Sequence, residues 1–498
     1  VRKGVLMMRV KIWPGVALGL ILIIFSPGEA LDRKAEDYIE NAKLAQRSGD
    51  HRGAVDLFTR AIRMGATDAD VYYRRGLAYE KLGDNIQAIS DYTRAIQIDS
   101  RLATPFNNRG SAYYRLGDFD KAIEDFDRAI ELNPYYALAY YNRGNAYHGK
   151  GDLERSIKDF TRAILINPTD PDAYNNRGWA ILQEHNPEKS IRDFDRAIQL
   201  NPDYTIAYYN RGNARLKTGD HEGSIKDLTR AIELNPQYAL AYFQRGNAYV
   251  KKEELESAID DYNRGVLINP GYADLYNNRG WVYFKKGNIT QALRDVSKAI
   301  SLNPDLTRAY INRGWIYKSH GECPRAIQDF SRALQLEQTN ASIYSFRAAC
   351  HLEKGHRDLA MKDLERAVEL EEDPETLVFL GTLKEQAGDY DHAVKLFSRL
   401  LEARPEDPTS YYNLGMALGK KGLVVQAIKE FTKSIELDPK FREAYLNRAI
   451  AFEFMGDSMR AKADFTMALS LPEGSGAPPV AGRLQVSTAR VKDIITTR

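Results

Sequence analysis

An all-α solenoid of stacked helix pairs is the fold the sequence predicts, on three observations. The tripeptide Asn-Arg-Gly returns at 108, 142, 176, 210, 278 and 312, always in step with a 34-residue period. Within each period the apolar residues fall at helical spacing. Turn-forming residues recur at the same two places in period after period. A fixed repeat of this length means supersecondary units that bury their apolar faces on one another rather than around a single closed core.

The small residue ending the tripeptide sets the register. It reads Ala42, Gly76, Gly110, Gly144, Gly178, Gly212, Gly246, Gly280, Gly314, Ala348, Gly381, Gly415 and Ala449, and every step is 34 residues except the 33 into Gly381. With that residue at repeat position 8, about thirteen repeats fill residues 35–475. Position 4 is aromatic in twelve of them, as in Tyr72, Phe106, Tyr140 and Tyr174. Position 11 is often Tyr, position 20 is small, position 24 is bulky and position 27 is mostly Ala.

The offsets 4, 8, 11 and 20, 24, 27 place two helices of about a dozen residues in each repeat. Between them stands a turn at Gly83, Gly117, Gly151, Gly219 or Gly287, mostly followed by Asp or Asn. Gly stops the first helix and the next residue caps the second. Asn-Pro, at 133–134 and its copies, ends the second helix, because the residue before Pro avoids helical dihedrals. Repeats five and seven put His185 and Glu253 where the turn Gly belongs. Both changes fall in turns and are read as cheap ones, not as sites.

These residues resemble the tetratricopeptide repeat family, with its W-x2-L-G-x2-Y…A-x3-F…P pattern, over about 440 of 498 residues. The resemblance implies a right-handed α-solenoid superhelix of about thirteen helix-turn-helix units, the first helix of each lining a concave groove. It resembles in kind the superhelical arrays of O-linked N-acetylglucosamine transferases, and the residues outside the repeats are expected to hold no catalytic domain. It implies binding of protein or peptide segments and no particular partner. The family's clamp for chaperone C-terminal carboxylates needs Lys at position 5, which is absent.

Arg at position 7 offers two readings: a basic ladder for an anionic polymer, or one half of an ion pair. Ten repeats carry Arg there, and the same ten carry Asp at position 23, as in Arg109 with Asp125 and Arg211 with Asp227. Where position 7 is Asn41, Leu380 or Leu414, position 23 is Leu57, Leu396 or Glu430. Joint change within one chain predicts a helix-to-helix ion pair inside each repeat. If it is buried, Arg211→Ala is expected to cost about 3–5 kcal/mol by leaving Asp227 unpaired.

Asn at position 6 is a poor helix-interior residue and needs a reason. Either the amide bonds a neighbouring repeat, or a ladder of amides faces the groove and grips a peptide backbone. The resemblance to the transferase arrays, whose Asn ladder holds extended peptides, implies the second. The candidate peptide-binding residues, on repeats four to nine, are Asn142, Asn145, Asn176, Trp179, Asn210, Asn213, Asn247, Asn278, Trp281, Asn312 and Trp315. Amides would fix the backbone and rings would take side chains. Changing Asn142, Asn176 and Asn210 together to Ala is expected to weaken capture while barely moving the melting temperature. Rings also suit sugars, so a polysaccharide or glycan is the alternative ligand. A structural organiser of a membrane-associated complex is the third reading.

Outside the repeats, residues 1–30 have a basic start, an apolar run from Val16 to Phe25 and small residues before a cut after Ala30. This pattern predicts a signal peptide and an exported, periplasmic or extracellular protein. The alternative is an N-terminal membrane anchor, which the shortness of the apolar run opposes. The tail 476–498 is expected to be a flexible segment or a short capping helix. Cys323 falls in a turn and Cys350 mid-helix, so the two are read as unpaired. No enzyme is expected, since eight scattered His show no metal spacing and neither a phosphate loop nor a nucleophile elbow occurs. No cofactor is implied. A net charge of +2 gives no footprint for nucleic acid.

Overall fold

The computed structural model describes residues 27–472, with side chains from Lys34 onward. The tail 476–498 and all but the last four residues of the segment 1–30 lie outside the described residues. The described chain runs through twenty-six helices and no strand. They form thirteen antiparallel pairs, from α1 (Pro27–Arg47) and α2 (His51–Arg63) to α25 (Arg442–Phe454) and α26 (Ser458–Ser470). The expected cut after Ala30 would fall inside the first turn of α1. The chain divides into two compact units after Asp227, within α12 (His221–Leu234).

Each unit is built the same way. Most second helices begin on an acidic or amide cap: Asp118 accepts from the backbone N–H of Lys121 ahead of α6 (Phe119–Leu132), and Asp152 does the same for Arg155. They end where Asn133, Asn201 and Asn303 each turn the side chain to the backbone N–H two residues on. The Asn of each Asn-Pro pair therefore closes the turn that its Pro begins.

The glycine at position 8 has a steric cause. A Cβ on Gly144 would sit 2.9 Å from the Phe160 ring, and one on Gly314 2.7 Å from Phe330. The bulky residue at position 24 thus occupies the space that position 8 vacates. The turn glycine at position 15 has a conformational cause, with φ near +80° at Gly83, Gly117 and Gly151. His185 and Glu253 keep this left-handed backbone at φ 59° and 64°. The reading of these two changes as cheap is corrected: each holds an L side chain where the others use Gly.

No helix of the described residues is long and apolar enough to cross a membrane. Cys323 does not fall in a turn as expected, but is 1% exposed as the first residue of α18 (Cys323–Leu336), in one apolar cluster with the fully buried Cys350.

Candidate functional site

Position 7 is the structural clip that the joint change of positions 7 and 23 predicts. Arg109 donates from Nε to Asp125 Oδ2 at 2.8 Å and from Nη2 to Oδ1 at 2.7 Å. The same two-pronged bond recurs in all ten repeats that carry the pair. The Arg side chains are 14–21% exposed and the Asp side chains 2–10%. A third arm was missed in the sequence. Nη1 of Arg109 reaches back 3.0 Å to Thr93 at position 25 of the preceding repeat, and Arg143, Arg279 and Arg313 reach Asp127, Asn263 and Ser297 likewise. Each guanidinium also lies over the ring at position 4, 5.6 Å away for Arg109 and Phe106. One Arg therefore ties three helices together, and it is not open to an anionic polymer.

Burial alone would lower the Arg143 guanidinium, but hydrogen bonds to Asp159 and Asp127 outweigh it and raise it. Burial likewise pushes the Asp125, Asp159 and Asp261 carboxyls up, against the pull of their arginines. Desolvation and attraction oppose one another, as a buried pair should show.

The position 6 amides lie on the first helices α5 (Ala103–Arg115), α7 (Ala137–Gly149), α9 (Pro171–Gln183), α11 (Thr205–Thr218), α13 (Ala239–Lys251), α15 (Ala273–Lys285) and α17 (Thr307–Ser319). Within each unit they are wired from repeat to repeat. Asn142 Nδ2 donates to Asn107 Oδ1 at 3.0 Å and to Ser111 Oγ at 3.3 Å. Asn176 donates to the Tyr141 hydroxyl and to Asn145 Oδ1, both at 3.0 Å. Asn210 donates to Asn175 at 3.0 Å, Asn278 to Asn247 at 2.9 Å and Asn312 to Asn277 at 2.9 Å. The expectation that three of these amides can go without loss of stability is corrected. Asn142 and Asn176 each make two bonds to the preceding repeat, and Asn210 is 6% exposed.

Hubs of this wiring are Asn107, Asn175 and Asn277 at position 5, all buried. Each donates to the position 6 amide beside it and accepts from the next repeat. The sequence did carry a signal for them. In repeats four, six and seven position 5 is a ring, Tyr141, Tyr209 or Phe243, and position 9 is Asn145, Asn213 or Asn247. Where position 5 is Asn, position 9 is Trp179, Trp281 or Ser111. Ring and amide exchange places, so that Asn145 and Asn247 accept from the next repeat as Asn107, Asn175 and Asn277 do. Asn247 shows how fully such an amide is used: it also donates to Gln244 at 3.0 Å and accepts from Tyr262 at 2.8 Å.

The rings of the candidate set differ in access. Trp281 is 8% exposed and packs on Phe284. Trp179 is half-buried against Leu182, Phe194 and Ala214. Trp315 is half-buried, edge-on to Phe346, with Lys318 Nζ 4.7 Å above its ring. Asn213 Oδ1, Asn312 Oδ1 and Trp315 Nε1 are buried atoms without a protein partner. One feature of this face was not read from sequence: position 2 is an exposed aliphatic in Leu138, Ile206 and Leu240. It is an acid at Asp172 and Asp274, where Tyr204 and Arg308 bond it. Positions 2, 5 and 9 fall three and four apart and so share one stripe of the first helix.

Two concavities of the described surface lie away from this stripe. One of about 560 Å³ is lined by Tyr411, Lys429, Glu430 and Lys433, and one of about 400 Å³ by Tyr72, Arg75, Asp91 and Arg94. They are open troughs between the position 4 ring and the second helix. Among the described residues no group of three or more His, Cys, Asp or Glu is placed to hold a metal ion.

Family models described as tetratricopeptide repeat match residues 69–102, 137–170, 273–306, 341–374 and 380–441. A model described as TPR repeat matches 110–151, 186–219, 212–253 and 246–287, and together these span more than half of the chain. No curated protein matches. Among solved structures, the chain is similar to YrrB, described as a TPR protein with an unusual peptide-binding site. The identity is 24% over 36% of this chain and 92% of that one, with a TM-score of 0.33. It is similar to MamA at 27% identity over 33% and 96%, TM-score 0.30. It is similar to yeast Tom70 at 18% identity over 87% and 97%, TM-score 0.37.

Proposed function

This chain belongs to the tetratricopeptide repeat family, and from that premise we propose a non-catalytic scaffold that holds extended protein segments on the face of its first helices, outside the cytoplasm after export. The single observation that carries the reading is the stripe at positions 2, 5 and 9, in repeats four to six of the first unit and seven to nine of the second. Exposed Leu138 and Ile206 in one unit, and Leu240 in the other, stand there on helices that the amide wiring holds at fixed register. Helices held at fixed register and presenting apolar anchors suit an extended chain, which needs a run of small contacts rather than a closed cavity. Asn145, Asn213, Trp179 and Trp315 make the contacts in this reading. Asn142, Asn176, Asn210, Asn247, Asn278, Asn312 and Trp281 hold them in place. Export rests on the sequence pattern of residues 1–30.

The test places a photo-crosslinking phenylalanine at Trp179 or at Trp315 of the full chain in cells and identifies what is captured. Protein segments are expected, and Leu138→Glu with Ile206→Glu should abolish their capture at 179 while the helical circular dichroism is unchanged. Capture of glycan alone would replace this reading by the sugar-binding one. No capture here, with capture from the second helices, would leave a structural organiser. The N-terminus of the mature protein, expected at Leu31, checks export separately.

A further inference from the structure

We propose that Cys323 and Cys350 form an oxidisable pair whose disulfide staples α18 to α19 (Ala341–Glu353), joining repeats nine and ten, with Cys323 the attacking thiol. They are the chain's two cysteines, 27 residues apart in sequence, and both are free and buried in this structure. Both belong to the cluster that also holds Ile311, Phe330 and Phe346, and Cys323 Sγ donates to Glu353 Oε2 at 2.9 Å. Glu353 stands three residues after Cys350 on the same helix, so carboxylate and thiol share one stripe, and the sulfur of Cys323 lies against that stripe. Burial pushes both thiols above their ordinary values, and the Glu353 carboxylate adds to the rise at Cys323.

The junction makes a pair, and not a single thiol, the feature to explain. Position 17 of one repeat also packs on the first helix of the next at an earlier junction: Phe119 would lie 2.8 Å from a Cβ on Gly149. Position 17 is apolar in Phe119, Leu153, Leu255 and Ile289 but polar in His51, Asn85, His221, Arg357 and Ser458, and position 10 is Ala, Val, Ile or Leu in the other repeats. At one junction both places hold Cys. Packing alone is met by the other residues at these places and gives no reason for sulfur at both.

The oxidant is a disulfide, RS–SR. Opening of the first turn of α18 exposes Cys323, whose proton passes to solvent. Its sulfur attacks one sulfur of RS–SR and releases RS⁻. Cys350 loses its proton in turn, attacks the Cys323 sulfur of the mixed disulfide and releases the second RS⁻. The two leaving groups take up two protons from solvent, so the pair loses two electrons and RS–SR becomes two RSH.

Incubating the folded full-length protein with oxidised glutathione, then denaturing and alkylating it, tests this. The expected product takes up no alkyl group, is lighter than the reduced protein by two hydrogens, and yields one peptide joining 323 to 350. Its urea midpoint should lie above that of the reduced protein, and Cys350→Ala should remove that difference. Glu353→Gln should quicken the reaction several-fold, because the carboxylate is one of the groups holding the Cys323 thiol up. Two alkylated thiols after prolonged oxidation, or glutathione adducts alone, would overturn the pair. An unchanged rate in Glu353→Gln would overturn Cys323 as the attacking thiol.

Discussion

Repeat nine and repeat eleven join their two helices at the same crossing by opposite means. In repeat nine, Arg313 grips Asp329 with two bonds and reaches Ser297 of the repeat before it. In repeat eleven, on α21 (Pro374–Gln386) and α22 (Tyr390–Ala403), buried Leu380 and Leu396 stand in those places. The backward arm is not lost there. Lys384, one turn later, reaches Glu365 of the preceding repeat at 2.6 Å. Around it Leu377, Phe379, Leu380, Leu396, Phe397 and Leu400 belong to an apolar cluster that continues to Tyr445. The repeat geometry thus requires a filled crossing and a tie to the neighbour. It does not require that either be ionic.

The comparison breaks most visibly on removing half of a clip. Arg313→Ala should cost about 3–5 kcal/mol in urea unfolding, because Arg313 is the cation that Asp329 bonds and the carboxylate stays buried. Arg211→Ala should cost clearly less, since Arg215 Nη1 remains 2.8 Å from Asp227 Oδ2. This corrects the loss expected there from sequence, where Arg215 is simply the occupant of a position often held by Tyr. The double change Arg313→Leu with Asp329→Leu should recover most of the loss. Equal loss in the single and double variants would mean that leucines fill this crossing only in repeat eleven's own surroundings.

A smaller effect is expected at the amide hubs. Asn277→Ala should cost about 1–3 kcal/mol, because Asn278 loses a donor and Asn312 an acceptor in a site 2% exposed. Hydrogen exchange should quicken in α15 and α17 before it quickens in α21 and α23 (Pro408–Lys420), where Leu383 and Leu418 supply apolar packing instead. Uniform quickening across unit two would show that the wiring is not local.

Periodicity made most of this legible. A 34-residue register fixes helix number, turn placement and the Arg–Asp pairing, because each comes from residues at one position compared with themselves. The arm from Arg Nη1 to position 25 escaped because Thr59, Asp127, Asn263 and Ser297 look unrelated until their shared role as acceptors is known. The direction of the Asn side chains escaped for a similar reason. Asn142 and Asn176 are as fit to grip a ligand as to grip Asn107 and Tyr141, and spacing along one helix does not say what faces it from the next. The cysteines mislead because the repeat pattern assigns Cys323 to the turn before α18, whereas it is that helix's first buried residue.

The smallest expected effect separates two turns that look alike in sequence. His185 and Glu253 both occupy the left-handed position, yet the residue after each behaves differently. Asn186 caps α10 (Pro187–Leu200) by accepting from the Lys189 N–H, whereas Glu254 makes no cap for α14 (Leu255–Ile268). A Cβ at the equivalent Gly83, Gly117 or Gly151 would meet nothing within 4 Å, so the cost of an L residue here is in the backbone alone. His is tolerated there better than Glu. Glu253→Gly should therefore gain about 1 kcal/mol and His185→Gly somewhat less, both partly offset by the added freedom of the unfolded chain. Glu254→Asp should add up to about 1 kcal/mol by restoring the cap, a gain repeat five already has in Asn186. Urea midpoints of the three variants read this order directly. A loss of stability in Glu253→Gly would mean that its side chain holds something the turn needs, and repeat seven would then be more than a connector.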